Sequence, residues 1–534
     1  MRVAALSINT TTGDFVGNAR KIRDGIKKAQ AKRATVAVFP ELCLCGYNPR
    51  DLLRDPGFVK AQLAELDKLV LQTKDIVVIV GFIEEEQGRL FNSAAVISNG
   101  CILGIARKQY LINNGFLNES RYFTSGEQKA CFKVAGVPIE VMVGEDFVKQ
   151  DSLASLICVS GNFPFYRDDL NQTPCQLAVC AQEKQKPIIF ANLVGGNDEV
   201  VFSGESAAYQ KDGKVISRSM AWVEAMVLAD LLLPTQPNFE APVAQEGLSI
   251  MTMDYVNLVA PMEENDNRLL QALVLGVKDF VGKCGYNQVL VGLSGGVDSS
   301  LVAGLAVLAL GAQGVKGVLL PSRFSSQTGI DDALYLAKHL NIEYDMVSIE
   351  PIFQAYEQIM PLEFGQKGIP QQNLQARIRA TMLMGLSNAH SSLLLLTCNK
   401  SEVFAGYGTL YGDLAGALAP IKDLTKAQIY SLCRILNRVL GTEVVNESIL
   451  TKAPSAELDQ NQKDCDFLPP YEHLDVWVEC CSSFSDFEGK EQSEKWRRNF
   501  LQNEYKLRQI PLGLAVTPFS LNQNRSVPVA KKLC

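Results

Sequence analysis

The run Val289-Leu290-Val291-Gly292-Leu293, followed at once by Ser294-Gly295-Gly296-Val297-Asp298-Ser299-Ser300 and then by Leu301-Val302-Ala303-Gly304-Leu305-Ala306-Val307-Leu308, decides the fold. The first stretch reads as a short buried strand, the last as an apolar helix, and a glycine turn joins them. That succession makes an anion-binding geometry. Glycines let backbone N–H groups approach phosphate oxygens, the helix N-terminus favours negative charge, and Ser294, Ser299 and Ser300 can donate hydroxyl hydrogen bonds. The loop lacks the lysine of a Walker loop. Asp298 suits a magnesium ion shared with the phosphates, which points to handling of pyrophosphate rather than transfer of a γ-phosphoryl group. The plainer alternative is a glycine-rich β-α turn with a capping Ser or Asp.

Outward from this loop the chain reads as α/β throughout. An amphipathic helix over Glu263 to Val281 precedes the loop, and a strand Leu393-Leu394-Leu395-Leu396 follows it. Upstream, Thr35 to Phe39, Ile76 to Val80, Ala94 to Ile97 and Ile139 to Val143 read as buried strands, with a helix over Gly17 to Ala31. Between the halves, Leu233-Pro234-Thr235-Gln236-Pro237-Asn238-Phe239-Glu240-Ala241-Pro242 ends any regular element. The expected division is therefore a domain at 1–235, a linker at 236–256 and a second domain at 257–534.

Composition bounds the function. The chain has 534 residues, 47% hydrophobic and 20% charged, enough for two or three domains with large cores and too apolar for a disordered protein. Lys and Arg number 51 against 58 Asp and Glu, a formal charge of -7, which is the opposite of a nucleic-acid footprint. No secretory segment opens the sequence and no clean span of about 20 apolar residues occurs, so a cytoplasmic protein without a membrane partner is expected. The 14 cysteines then read as reduced core thiols, since neither Cys43-Leu44-Cys45 nor Cys480-Cys481 has zinc-site spacing. His339, His390 and His473 are too scattered for a metal site.

The string SGGVDS resembles the pyrophosphate loop of the N-type ATP pyrophosphatases, which adenylate an oxygen and let a nucleophile expel AMP. Later strings narrow the resemblance. Asn373 with Gln375-Ala376-Arg377-Ile378-Arg379, Thr397-Cys398-Asn399-Lys400-Ser401-Glu402, Gly406-Tyr407-Gly408-Thr409-Leu410-Tyr411-Gly412-Asp413, Lys452 to Leu458, Leu468-Pro469-Pro470-Tyr471 and Tyr505-Lys506 resemble NAD synthetase signatures. The resemblance implies a doubly wound parallel-sheet synthetase domain of the adenine nucleotide α-hydrolase type. It places ATP on Gly292, Leu293, Ser294, Gly295, Gly296, Val297, Asp298 and Ser299 with Thr397 and Lys426, and deamido-NAD on Asn373, Arg377, Glu402, Asp413 and Lys506. Asp298 and Glu402 are the implied catalytic, magnesium-holding pair, at the carboxyl edge where α/β sheets bind ligands. Taken singly, Arg377, Lys426 and Lys506 read as solvated surface charges. Cys398 stands where the family has Gly, a change that would cost something only if the backbone there needed positive φ or close ligand approach.

The first domain resembles the nitrilase-type amidase domain, an α-β-β-α sandwich, that precedes the synthetase in glutamine-dependent NAD synthetases. Val38 to Tyr47, Lys108-Gln109-Tyr110-Leu111, Glu119 to Phe123 and Asn192 to Glu199 carry the likeness. It implies Glu41 as general base and Lys108 as oxyanion stabiliser, with a cysteine nucleophile after the strand Ile139 to Val143. The sequence there reads Gly144-Glu145-Asp146-Phe147-Val148. Glycine cannot form a thioester, so the covalent route fails at its first step. Cys43, Cys45 and Cys158 read as core residues rather than substitutes. The expectation is an ammonia-dependent synthetase with a silent amidase, using ATP and Mg2+ and assembling as a homo-oligomer, a dimer or larger. Two alternatives stand beside it. One is glutamine-dependent synthesis through an unrecognised nucleophile or a separate glutaminase as ammonia source. The other is a non-catalytic nucleotide-binding scaffold.

Overall fold

Alternating runs of Val, Ile and Ala that must be buried on both faces build two sheets in the N-terminal half of this computed structural model. The structure describes the chain apart from residues 114–116, 128, 168–171, 237, 246–258, 261, 362–367, 461, 481–497, 519, 521–528 and 530–534. The chain divides into two compact units, 1–197 with 201–263, and 264–534 with 198–200.

In the first unit a six-stranded sheet runs Ala225–Asp230, Arg2–Ser7, Val36–Val38, Val77–Glu86, Arg89–Ser98, Cys101–Arg107. A seven-stranded sheet runs Val215–Arg218, Ala207–Tyr209, Ile188–Ala191, Leu156–Ser160, Val137–Val143, Ala130–Val134, Val243–Gln245. The two sheets share one apolar core. Val3, Val38, Ile79 and Val96 of the first meet Phe132, Ile139, Val141 and Leu156 of the second. The outer faces are covered by helices. Phe15–Ala31 is capped by Asp14 and Pro56–Gln72 by Asp55, with a proline in its first turn where the missing N–H costs nothing. On the other side Leu177, Cys180 and Ala181 of Gln172–Lys184 pack on Ile157, Val159 and Ile188. This is the α-β-β-α sandwich expected of the first domain.

The stretch expected to be linker departs from its reading. Val243–Gln245 pairs in parallel with Ala130–Val134 and extends the second sheet. Residues 237 and 246–256 of that stretch, and 257–258 at the expected start of the second domain, lie outside the described residues, as does Cys481.

In the second unit four parallel strands are ordered Glu343–Met346, Val315–Leu319, Val289–Gly292, Leu393–Leu395. The two middle-to-edge strands Val289–Gly292 and Leu393–Leu395 are neighbours in space but far apart in sequence, so the winding reverses between them. Helix Val297–Leu310 packs with Asn265–Lys283 and Lys426–Leu440, while Ile369–Ala389 and Glu350–Ile359 pack with Leu290, Val318 and Leu394. Helices on both faces of a parallel sheet give the doubly wound arrangement read from the glycine loop. No helix among the described residues is long and apolar enough to cross a membrane.

Candidate functional site

The glycine loop leaves Val289–Gly292 at the reversal point and enters helix Val297–Leu310 with Gly296 as its N-cap. Gly295 has φ +75°, and a Cβ on it would lie 2.1 Å from the Gly329 carbonyl oxygen, so only glycine fits. The side chains of Leu293 and Val297 are buried, leaving their backbone as the part a phosphate could reach. Ser299 and Ser300 differ from their reading as phosphate donors. Their hydroxyls donate to the Gly296 carbonyl at 3.0 and 2.9 Å and brace the loop from inside. Ser294 is exposed.

Asp298 on this helix meets Glu402 from the next strand's helix. Glu402 is held by a capping box: the Asn399 side chain accepts from the Glu402 N–H at 2.9 Å, and the Asn399 N–H points back at Glu402 Oε2 at 3.5 Å. Asn399 Nδ2 also donates to Asp298 Oδ1 at 3.1 Å. Between the carboxylates stands Lys426, its Nζ 2.6 Å from Asp298 Oδ2 and 3.3 Å from Glu402 Oε1. Its side chain is only 4% exposed, against the solvated reading of that lysine. Burial pulls the ammonium down, but the two carboxylates hold it well above its ordinary value. Burial pushes Glu402 up to about 8, against the pull of Lys426 and with help from Asp298.

Asp298 and Glu402 offer the hard oxygen donors magnesium prefers, and they fit it in kind, the rest of its shell coming from phosphates and water. Among the described residues no group of three or more His, Cys, Asp and Glu side chains could hold a metal by itself.

The second group converges on the segment 406–413. Asn373 Oδ1 accepts from Thr409 Oγ1 at 2.7 Å, Asp413 Oδ1 from the Thr409 N–H at 2.7 Å, and Arg377 Nε donates to Leu410 O at 3.2 Å. Lys506 Nζ donates to the Gly406 and Gly408 carbonyls at 2.7 and 2.9 Å, and burial lowers its pKa. Lys506 is half-buried, unlike its solvated reading, whereas Arg377 is exposed as read. Asp464, which the sequence reading missed, links the two groups: Tyr407 donates to it at 3.4 Å and Tyr471 at 2.8 Å, and Lys426 lies over the Tyr471 ring at 5.2 Å. Thr397 is half-buried just past Leu393–Leu395. Cys398 has no positive φ and packs with Leu396, Val403 and Phe404, so the backbone strain that would penalise it does not arise.

In the first unit three strand ends converge. Glu41 lies beyond Val36–Val38, Lys108 directly after Cys101–Arg107, and Gly144 directly after Val137–Val143. Lys108 Nζ is 3.0 Å from Glu41 Oε1 and 3.0 Å from Glu119 Oε1, with Glu145 Oε2 at 3.3 Å. Glu41 and Lys108 are fully buried. Burial pulls Lys108 down, yet three carboxylates hold it well above its ordinary value; burial pushes Glu41 up to about 8. Gly144 has φ +55°, and a Cβ there would lie 2.6 Å from Lys108 Nζ and 3.0 Å from Glu41 Oε2. Asn92 and Glu119 were missed as members of this cluster. Glu119 sat in a quoted string without a role, whereas Asn92 offered no local signal. Cys43, Cys45 and Cys158 are fully buried. Cys158 lies inside Leu156–Ser160. Burial raises all three thiols, Cys43 to about 12, which is the reverse of an activated nucleophile.

Comparison with known proteins follows the same two-part division. Residues 2–235 match the carbon-nitrogen hydrolase family and residues 269–509 the NAD synthase family. The glutamine-dependent NAD(+) synthetase of Thermotoga maritima is 34% identical over 100% of this chain and 99% of its own. That of Synechocystis sp. is 37% identical over 99% and 98%. Among solved structures, a glutamine-dependent NAD+ synthetase from Acinetobacter baumannii in complex with adenosine diphosphate superposes with a TM-score of 0.75 at 29% identity, covering 99% of this chain and 98% of that one. With relatives this similar across the whole of both sequences, the chain belongs to the glutamine-dependent NAD(+) synthetase family.

Proposed function

We propose that this protein amidates deamido-NAD, nicotinate adenine dinucleotide, to NAD at the expense of ATP, with ammonia as the nitrogen donor. On this reading 1–235 is a degenerate amidase domain, 236–256 the connection, from which Val243–Gln245 adds a strand to the first unit, and 257–534 the synthetase domain. ATP adenylates the nicotinate carboxylate with release of pyrophosphate; ammonia then attacks the acyl carbon and AMP leaves. The backbone N–H groups of Ser294 to Val297 and the start of helix Val297–Leu310 would receive the phosphates. Magnesium, when held by Asp298 and Glu402, supplies charge neutralisation for the leaving pyrophosphate. Lys426, already between those carboxylates, adds a fixed positive charge at the same place. Asn373, Arg377, Asp413 and Lys506 would hold deamido-NAD along the segment 406–413. The step needs alignment of two reactants rather than a protein nucleophile.

The observation that carries the ammonia-dependent reading is Gly144. It stands against Glu41 and Lys108, where the resemblance expects the amidase cysteine, and burial makes Cys43, Cys45 and Cys158 the reverse of activated thiols. The names of the relatives favour the competing reading, in which glutamine serves. The deciding experiment is NAD formation from deamido-NAD, ATP and magnesium, with ammonium in one reaction and ammonia-free glutamine in the other. Turnover with ammonium alone is expected. Comparable turnover with glutamine overturns the silent amidase, and none with either donor leaves the nucleotide-binding scaffold.

A further inference from the structure

The buried cluster around Glu41 holds more acceptors than the described residues supply donors for, and the synthetase reading gives it no task. Among the described residues Glu41, Glu119 and Glu145 face a single cation, Lys108. Asn92 Nδ2 donates to Glu41 Oε1 at 2.6 Å and to Glu119 Oε1 at 3.4 Å, which fixes the amide and leaves Oδ1 as its acceptor. Glu41 Oε2 and Asn92 Oδ1 are buried, and neither accepts a hydrogen bond among the described residues, while Glu145 Oε2 has the Lys108 ammonium at 3.3 Å. Buried polar atoms ordinarily have partners, so two orphans in one cluster point to a donor from outside the chain. Glu41 Oε2 lies 3.0 Å from where a side chain at 144 would begin, a point that Lys108 Nζ also borders at 2.6 Å. The Glu145 side chain, 31% exposed, joins the cluster to solvent.

We propose that this cluster binds an ammonium ion. Lys108 shows that an –NH3+ group is accommodated, with Nζ 3.0 Å from both Glu41 and Glu119. Free ammonium is the same donor without the carbon stem. It can direct N–H bonds at the orphan acceptors and its charge offsets the carboxylate surplus, and such charge-assisted bonds are the strong ones. Water would supply donors but no charge, and no group of three or more His, Cys, Asp and Glu side chains among the described residues could hold a metal ion by itself. Burial is the main push that raises the Glu41 pKa; Lys108 opposes it, and Glu119 and Glu145 add to it. The inference goes beyond the synthetase reading and does not require it, because binding is measured without turnover.

The test is thermal unfolding of the full chain against rising ammonium chloride, with sodium, potassium and tetramethylammonium chlorides at matched ionic strength. A saturable rise in Tm specific to ammonium is expected. Glu41→Gln, which keeps the shape and removes the charge, should weaken the apparent affinity at least tenfold. Should that variant fail to fold, Glu119→Gln makes the same comparison, and calorimetric titration of the unaltered protein should give ammonium binding that potassium does not displace. An equal response to potassium or sodium, or an unchanged ammonium midpoint in the variants, overturns the proposal. Ammonium-driven NAD formation, run alongside, separates the two readings. An intact Tm response without turnover counts against the synthetase and not against the site.

Discussion

Lys426 is the residue on which the Asp298–Glu402 pair depends. Two largely buried carboxylates share its ammonium, and removing one partner of such a set leaves charge without compensation, which costs about 3–5 kcal/mol. Lys426→Met is therefore expected to lower stability by at least about 3 kcal/mol in urea unfolding and to abolish NAD formation. A variant of normal stability would show that the carboxylates are compensated elsewhere. Asp146 makes a different prediction. It is buried and accepts from the Gln109 and Tyr110 N–H groups, holding the turn after Lys108, and burial raises its pKa to about 6. A carboxyl with a raised folded pKa binds its proton more tightly in the fold than in the unfolded chain, so its contribution is full at low pH. It is lost as pH rises from near the unfolded value through about 6. Measured against Asp146→Asn, the protein should lose up to about 3 kcal/mol between about pH 4 and about pH 7. A difference independent of pH would show that the two backbone donors cancel the effect of burial. At this scale the sequence was legible where a side chain lies just beyond a buried strand, as Glu41 and Lys108 do, or within a glycine loop, as Asp298 does. Asn92 and Asp464 were not, because only long-range folding brings them in.

The glycine loop shows how an element constrains its residues unequally. Gly295 and Gly296 look equivalent in the sequence, yet their surroundings differ. A Cβ at 295 meets the Gly329 carbonyl, in the first turn of helix Gln327–His339, at 2.1 Å with φ +75°; at 296 it meets only the mobile end of Ser294 at 3.3 Å, with φ -93°. Gly295→Ala should therefore cost roughly 2–4 kcal/mol or displace the loop and remove ATP binding. Gly296→Ala should leave stability within about 1 kcal/mol. Unfolding midpoints with ATP titrations on both variants check this, and equal effects would show that the contact with helix Gln327–His339 does not hold the loop. The strands and the helices around this loop were legible because short continuous apolar runs and longer helical runs mark them directly. Strand Val243–Gln245 was not. It is three residues long, follows three prolines, and exists only because Ala130–Val134 offers it an edge.

For the whole molecule, the two architectures were legible because each announces itself through several strings in order, and because parallel sheets need apolar strands that stand out from their helices. The identity of the nitrogen donor is a different matter, since it turns on an absent side chain at one position, and absence can be judged only once Glu41 and Lys108 are seen around Gly144. Chemistry supplies an independent check. The nucleophile in an ammonia-dependent synthesis is NH3, which has a lone pair, and not ammonium, which has none. At fixed, subsaturating total ammonium the rate should climb with pH in proportion to the free-base fraction. Rates referred to free ammonia should stay level. The glutamine amide does not titrate in this range, so a donor reaction through an amidase has no reason to follow that slope. Initial rates between about pH 6.5 and about pH 8 decide the matter. A profile flat in total ammonium would mean that something other than dissolved ammonia delivers the nitrogen, and the inference from Gly144 would fail with it.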